Sequence, residues 1–469
     1  MKSLLFALVV LLSACGPSLA TTSDNSAELD EVGAELRAAN VVAAWNQLAI
    51  DTSGIDHKPG SAGEQLGPHR SSRAMAIVHI AMFDAVNSVS GRYPTYSTLP
   101  RVIGATMGVA TAQAAHDALT ALYPSQRAAF DALLATHLAA FTGTGKTNGI
   151  QAGRAAAAAI LAARVNDGSA FKEPLVGIDI PRASGAGQWT PDPLSGNLKA
   201  VGAFWGKVKP FVISSGQRFR APPPPALTSA AYATAFSEAA RLGGDGVITP
   251  TTRTAAQYDI GLFWAYDGMP SLCAPPRLYN QLAMAIAVEK GTASDPVELA
   301  RYLALVNVAM ADAAISAWDS KYFYNFWRPV VGVRFADDNN PLTRTIANFT
   351  PIGAPASNTP NQNFTPPFPA YPSGHATFGG ALFQVIRNYY GTDRITFDFT
   401  SDEFNGRTAG HDGRVRPVWK RHFTSLSQPE EENGQSRIYL GIHWAFDKTA
   451  GIDMGEKVGD AVYFNAFGQ

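Results

Sequence analysis

The chain has 469 residues, 46% of them apolar and only 16% charged, and its formal net charge is −1. That balance excludes proteins that work through bulk charge, such as nucleic-acid binders or polybasic membrane-surface proteins. Two cysteines, Cys15 and Cys273, exclude a disulfide framework or a cysteine-rich metal site, and a mean hydropathy of −0.03 is too low for a polytopic membrane protein.

The first residues read as a targeting segment. Lys2 supplies a positive start, and Leu4 to Leu12 is an apolar stretch too short to span a bilayer. Leu12-Ser13-Ala14-Cys15 follows, a lipobox pattern that predicts a signal peptide over 1–14 and lipidation of Cys15. Ordinary secretion with cleavage after Ser18-Leu19-Ala20 is the alternative. Either way the chain is expected to be exported, to a periplasm or cell surface, and to meet a membrane only through an N-terminal lipid anchor. Residues 15–28 read as a flexible tether. Cys273 is expected to be a buried thiol.

Helical patterns follow in chain order. Glu28 to Ile50 is the first. Ser71 to Val89 carries Met75, Val78, Met82 and Val86 on one stripe, and Gln126 to Phe141 repeats the spacing with Phe130, Leu133, Leu134 and Leu138. Arg154 to Arg164 is Ala-rich, and 254–266, 276–291 and 295–318 continue the trend. No run alternates as a strand should. The expected fold class is all-α, with an N-terminal helical part over 29–228 and a C-terminal one over 229–469. Two irregular stretches interrupt: 168–228, rich in Gly and Pro, and 336–372, rich in Pro, Asn and Thr. A loop as long as the second is usually functional or a linker.

Three segments of the C-terminal part carry chemistry. In Lys321-x6-Arg328-Pro329, seven residues make almost two turns, so both cations share a helical stripe about 10 Å apart, and Pro329 is expected to end the helix. Pro372-Ser373-Gly374-His375 opens a helical stripe of Phe378, Leu382, Val385 and Tyr389. Ser373 is the expected N-cap, and the helix start offers free N–H groups and a positive dipole end to an anion. His375 adds a group that titrates near neutral pH. In Ser436-Arg437-x5-His443-Trp444-x2-Asp447, His443 and Asp447 are four apart and are expected to meet on one face of a helix, where the carboxylate can hold the imidazole Nδ1–H and leave Nε2 free as nucleophile or ligand. Each segment alone also has an ordinary structural reading: a solvated Lys/Arg face, a capped helix, a surface His–Asp pair.

Taken in order, the three segments form a known signature. The sequence resembles vanadium-dependent haloperoxidases, which share their site with class A acid phosphatases and type 2 phosphatidic acid phosphatases. Trp318-Asp-Ser-Lys321, Phe326-Trp327-Arg328-Pro329, Phe368-Pro-Ala-Tyr-Pro-Ser-Gly-His375 and Trp264-Ala-Tyr-Asp267-Gly look like the chloroperoxidase branch. The resemblance implies two four-helix bundles with the site in the second. It implies a bound vanadate, with His443 bonding vanadium through Nε2. Lys321, Arg328 and Arg437 would neutralise the oxyanion, Ser373 and Gly374 would donate to it, and His375 would act as acid–base. Asp447 would orient His443, and Asp267 would pair with Arg437. Hydrogen peroxide and halide are the implied substrates, with small organic acceptors downstream. Trp318 and Phe368 would form an apolar halide pocket, which favours competence toward chloride, with bromide and iodide easier.

The same cradle fits phosphate. An acid phosphatase with His443 as phosphohistidine nucleophile is therefore the alternative activity, and an exported lipoprotein that binds an oxyanion without turnover is the other. Outside the three segments, Arg414 to His422 reads as a solvated basic run balanced by Glu430 to Glu432. His411 reads as a loop residue or a part of the pocket rim, and His79, His116 and His137 as packing or surface residues.

Overall fold

The computed structural model describes residues 41–335 and 337–468. The expected lipidation site Cys15, the tether and the start of the first predicted helix lie outside the described residues. Among the described residues there are thirteen α-helices. The N-terminal set is α1 (Val41–Asp56), α2 (Gly67–Ser90), α3 (Met107–Leu122), α4 (Arg127–Ala139) and α5 (Gly143–Arg164). The C-terminal set is α6 (Ala230–Gly243), α7 (Ala255–Phe263), α8 (Pro275–Glu289), α9 (Pro296–Tyr324), α10 (Pro329–Phe335), α11 (Gly374–Tyr390), α12 (Ser427–Tyr439) and α13 (Ala445–Asn465).

The all-α expectation holds, with one small addition. β1 (Phe397–Thr400) pairs antiparallel with β2 (Lys420–Phe423), Phe397 facing Phe423 across the ladder. Phe397 and Phe399 point inward while Asp398 points out, a period-two pattern too short to stand out in the sequence.

α2 packs on α3 and α5; α11 packs on α13 and α12; α9 lies between, against α2, α11 and α13. α9 is long and apolar enough to cross a membrane by length and composition, yet its apolar window is wholly buried among other helices. One continuous apolar cluster runs from Val42 through α2, α9 and α11 to Phe467. The irregular 168–228 stretch is laid across it and tied down by buried carboxylates. Asp312 of α9 accepts from the N–H groups of Phe211, Val212 and Ile213 at 2.7–3.0 Å.

Two local expectations are corrected. α9 ends at Tyr324, capped by Asn325 in the left-handed region (φ 48°), and Pro329 starts α10 instead of closing the preceding helix. Arg328 therefore sits at the end of the four-residue link between helices, Asn325 to Arg328, and φ-restricted Pro329 suits a first helical position. His443 lies just before α13, with Trp444 as N-cap, so the His–Asp contact is made across a helix start and not along a helix face.

Candidate functional site

Three chain segments converge at the N-terminus of α11. Ser373 caps that helix, its Oγ accepting from the Ala376 N–H at 3.4 Å, and its own N–H donates to the Asp447 carbonyl at 2.9 Å. Gly374 faces a cavity of about 200 Å3, where an added Cβ would come within 3.5 Å of the Trp318 ring. The cavity is also lined by His375, Arg437, His443, Asp267, Trp318 and Phe368. Lys321, Arg328, Ser373 and Asp447 stand immediately behind this wall, all at most 1% exposed.

His443 is held on both ring nitrogens. Nδ1–H donates to Asp447 Oδ2 at 2.7 Å, and Nε2 accepts from Arg328 Nη1 at 2.9 Å. Asp447 Oδ2 also accepts from the Trp444 N–H, while Oδ1 has no partner. Burial and the cations Arg328 and Lys321 push His443 well below the usual histidine range. Burial raises Asp447 to about 7, against the pull of the Trp444 N–H and Lys321. The ring is thus a neutral imidazole with its Nε2 lone pair turned toward the cations.

Arg328 donates through Nε to the Phe368 carbonyl (2.9 Å) and through Nη1 to the Ile442 carbonyl (2.8 Å). Burial, and Arg437 nearby, push it down to about 9, although a guanidinium stays charged at any ordinary pH. The shift records how poorly this enclosure solvates positive charge. Arg437 Nη2 donates to both oxygens of Asp267, at 2.6 and 2.8 Å. The expected Asp267–Arg437 pair is therefore present, with side chains 6% and 1% exposed.

The decisive feature is what these arginines leave unused. Among the described residues, Arg328 Nη2 and Arg437 Nε and Nη1 are buried without a hydrogen-bond partner. Each buried unsatisfied donor costs about 1–3 kcal/mol, more when charged. Three buried cations face two buried carboxylates, so the enclosure lacks negative charge. A tetrahedral oxyanion supplies both the acceptors and the charge, and it would sit at the helix start that favours it. The residues present fit vanadate or phosphate.

Lys321 departs from its implied role. Its Nζ donates to the carbonyls of Pro369, Ala370 and Pro372 at 2.9, 2.8 and 2.5 Å, which uses all three of its N–H groups. It lies 5.7 and 5.2 Å from the ring centroids of Trp318 and Phe368. In this arrangement it fixes the loop that presents Ser373 and adds charge from behind the wall.

His375 donates Nε2–H to the Ala265 carbonyl at 2.7 Å, which leaves Nδ1 as the unprotonated nitrogen. Burial first, then Arg437, push it well below the usual histidine range. Its carbonyl is gripped by Tyr279 Oη and Asn433 Nδ2, each at 2.9 Å. Asn433 can approach because position 379 is glycine; a Cβ there would lie 2.6 Å from Nδ2.

Sequence reasoning missed these supports. Glu173 is another: it accepts from His69 Nε2, Arg70 Nη2 and the Gly202 N–H at 2.9, 3.2 and 2.6 Å. The neighbouring Val201 carbonyl takes the Trp318 Nε1–H at 3.0 Å and the Tyr322 hydroxyl at 2.9 Å. Glu403 holds the Tyr266 N–H beside Asp267 and pairs with Arg416 from the basic run. Arg421 pairs with Glu432, and His422 Nδ1 lies 2.7 Å from Asp398 Oδ1, so much of the run is held by carboxylates. His411 lines a separate hollow with Asp412 and Arg414, not this cavity. His79 is a packed histidine bonded to Asn46 and Met75, as expected of it. Cys273 is a buried free thiol.

Residues 301–467 match the family described as the VCPO second helical-bundle domain. The segment holds every one of the three motif regions. The vanadium chloroperoxidase of Curvularia inaequalis is 40% identical over 286 residues, which is 54% of this chain and 46% of that protein. The chain thus spans about half the length of the curated relative it matches. Among solved structures, the first bacterial vanadium-dependent iodoperoxidase superposes with a TM-score of 0.69 at 23% identity, covering 91% of this chain and 97% of that one. The apo form of a bacterial vanadium-dependent chloroperoxidase gives 0.64 at 16% identity, covering 85% and 94%. These two likenesses establish the fold over nearly the whole chain.

Proposed function

We propose that the chain is a vanadate-dependent haloperoxidase that oxidises halide with hydrogen peroxide to a hypohalous-acid equivalent. The observation that carries the reading is the set of buried, unpartnered guanidinium N–H groups beside the His443 imidazole. Vanadate, when bound, supplies a Lewis acid that activates peroxide toward halide. The protein's share is positioning and charge. Arg328 and Arg437 would donate to the oxyanion, the Gly374 N–H would meet it at the start of α11, and His443 would offer Nε2 to the metal in place of its bond with Arg328, while Asp447 fixes the tautomer. His375, unprotonated at Nδ1, takes a proton from peroxide and returns it later. Trp318 and Phe368, with ring centroids 5.1 Å apart, give halide an apolar wall that excludes water. We place the chain in the chloride-competent class on this wall.

The test is orthovanadate added to metal-free protein, followed by peroxide with iodide, bromide or chloride and a phenolic dye. Vanadate-dependent halogenation is the expected result. Hydrolysis of an aryl phosphate, inhibited by vanadate and without halogenation, would instead assign the cradle to phosphoryl transfer through His443.

The pH dependence of loading follows from Asp447. Its carboxyl, raised to about 7, is ionised above that pH and protonated below it. The carboxylate accepts the His443 Nδ1–H more strongly than the neutral acid does, so vanadate affinity is expected to be full above pH 7 and to weaken as pH falls through it. Asp447→Asn cannot titrate; it should lower affinity about 10–100-fold and flatten this part of the profile. Titration calorimetry of both proteins from pH 5.5 to 8.5 reads the difference, because vanadate's own protonation is common to both.

Glu173 supports the halide wall through Gly202, Val201 and Trp318. Glu173→Gln is expected to raise the halide KM roughly fivefold while vanadate affinity stays within about twofold, the scale of a lost charge-assisted hydrogen bond acting at second hand. An equal loss of both would place Glu173 in general stability instead.

We also propose export with a lipid anchor at Cys15, on the strength of the Leu4–Leu12 stretch and the Leu12-Ser13-Ala14-Cys15 pattern. Mass spectrometry of the mature N-terminus decides between a lipidated Cys15 and a start after Ala20.

A further inference from the structure

Two groups of the site lean on one short stretch of backbone. His375 gives its Nε2–H to the Ala265 carbonyl at 2.7 Å, and Arg437 gives its Nη2–H groups to the Asp267 carboxylate. Between these two acceptors stands Tyr266, in the left-handed region (φ 46°) that residues with side chains rarely adopt. The Ala265 carbonyl and the Tyr266 N–H are the two ends of one planar trans peptide and point in opposite directions. Whatever holds the N–H therefore sets where the carbonyl faces. Glu403 Oε1 holds it, at 3.3 Å, from 137 positions further along the chain.

The hold comes from a single 3-10 turn, Asp402–Phe404, with Ser401 as its cap. Ser401 Oγ donates to the Phe263 carbonyl at 2.6 Å, the Asp402 N–H donates to Tyr266 Oη at 2.6 Å, and Glu403 takes the Tyr266 N–H. Glu403 is wholly buried, and its Oε2 accepts from Arg416 and from Ser357 Oγ (2.7 Å), which fixes the carboxylate from the far side. It does not line the cavity. We propose that Glu403 is a positioning residue for the site: through the 265–266 peptide it keeps the His375 proton on Nε2 and leaves Nδ1 open, and through the Tyr266 turn it keeps Asp267 on Arg437. Hydrogen bonds in such a chain polarise one another, so a carboxylate at one end strengthens the carbonyl that His375 uses at the other. Only the consequence for turnover rests on the haloperoxidase reading.

Glu403→Gln keeps the volume, but its single oxygen follows Arg416, which sets an NH2 against the Tyr266 N–H. Glu403→Asp keeps the charge and the Arg416 pair but, one methylene shorter, gives up Tyr266; it serves if the glutamine variant does not fold. Arg416→Gln is the comparison. It removes the ion pair and spares the Tyr266 contact, because even a neutral Glu403 accepts through its carbonyl oxygen. In vanadate-free protein labelled with 15N-histidine, the His375 Nε2–H, assigned by its absence from His375→Gln, should exchange with solvent at least about tenfold faster in the Glu403 variants than in wild type. Orthovanadate affinity by calorimetry should fall about tenfold. Bromide oxidation should lose about tenfold or more in kcat with the bromide KM within about twofold. Arg416→Gln should lower the thermal midpoint yet keep His375 exchange and vanadate affinity within about twofold of wild type. Unchanged exchange and affinity in the Glu403 variants, or equal losses in Arg416→Gln, overturn the proposal and leave Glu403 a residue of general stability. If wild-type protein oxidises no halide, the haloperoxidase reading fails, while the exchange and affinity measurements still decide the role of Glu403.

Discussion

Replacing His443 with alanine is expected to abolish vanadate-dependent halide oxidation, with a loss of at least about a thousandfold, the scale for removing a group that holds the reacting centre. The neutral imidazole of His443 turns its Nε2 lone pair onto Arg328. Without it, a bound vanadate would keep its charge partners and lose the nitrogen that His443 would supply. Activity alone would not separate that from misfolding. The thermal midpoint with and without orthovanadate supplies the second readout. Wild-type protein should be stabilised by vanadate through binding to the native state. The variant should melt cooperatively but somewhat lower without vanadate, because Asp447 and Arg328 each lose a buried partner, and it should lose most of the vanadate-induced shift. A variant that retains both the shift and turnover would remove His443 from the site.

The second large effect is expected at Arg437. Arg437→Ala deletes a guanidinium that binds both oxygens of Asp267 through Nη2 and keeps two nitrogens, Nε and Nη1, with unused N–H groups. Two consequences follow. Asp267, already pushed up by burial and held down by Arg437, is left as an unpaired buried carboxylate; breaking such a pair costs about 3–5 kcal/mol. The oxyanion also loses charge-assisted donors worth about 1.5–3 kcal/mol each, so vanadate affinity should fall by about a hundredfold or more. Denaturant melts and calorimetry measure the two losses separately. Arg437→Lys restores the charge but not the fork. It should recover most of the stability and little of the affinity, whereas recovery of both would mean that charge alone matters there.

The motif residues were legible because each required chemistry sits within a few positions along the chain: the cap and helix start at Ser373–His375, the imidazole and carboxylate at 443 and 447. The sequence also gave good grounds for α2, α4, α9 and α11, whose apolar positions recur at helical spacing. α3 escaped because alanine fills it on most sides and the stripe is faint, and α12, Ser427–Tyr439, because it is largely polar and held by tertiary packing. The boundary error at Pro329 has a plain cause. Proline disfavours helix in the residue before it but is equally at home in the first turn of the next one, and Asn325 had already stopped α9. The supporting residues were invisible for a different reason. Glu173 reaches Gly202 across 29 positions, the adjoining Val201 carbonyl reaches Trp318 across 117, and Asn433 reaches His375 across 58. No periodicity reports such pairings. The glycines that permit them are the nearest thing to a signal. A Cβ at Gly202 would lie 2.2 Å from Trp318, so that position can hold nothing larger.

α9 touches α2 on one side and α11 and α13 on the other within a single uninterrupted apolar cluster. Cutting the chain between the helical sets would strip one flank of α9 of its cover and expose a broad greasy surface to water. Residues 229–469 expressed alone, though they hold every motif, should therefore aggregate or stay loosely packed. The N-terminal helices behave as a built-in chaperone for the C-terminal ones, and the two halves are expected to melt together in a single transition.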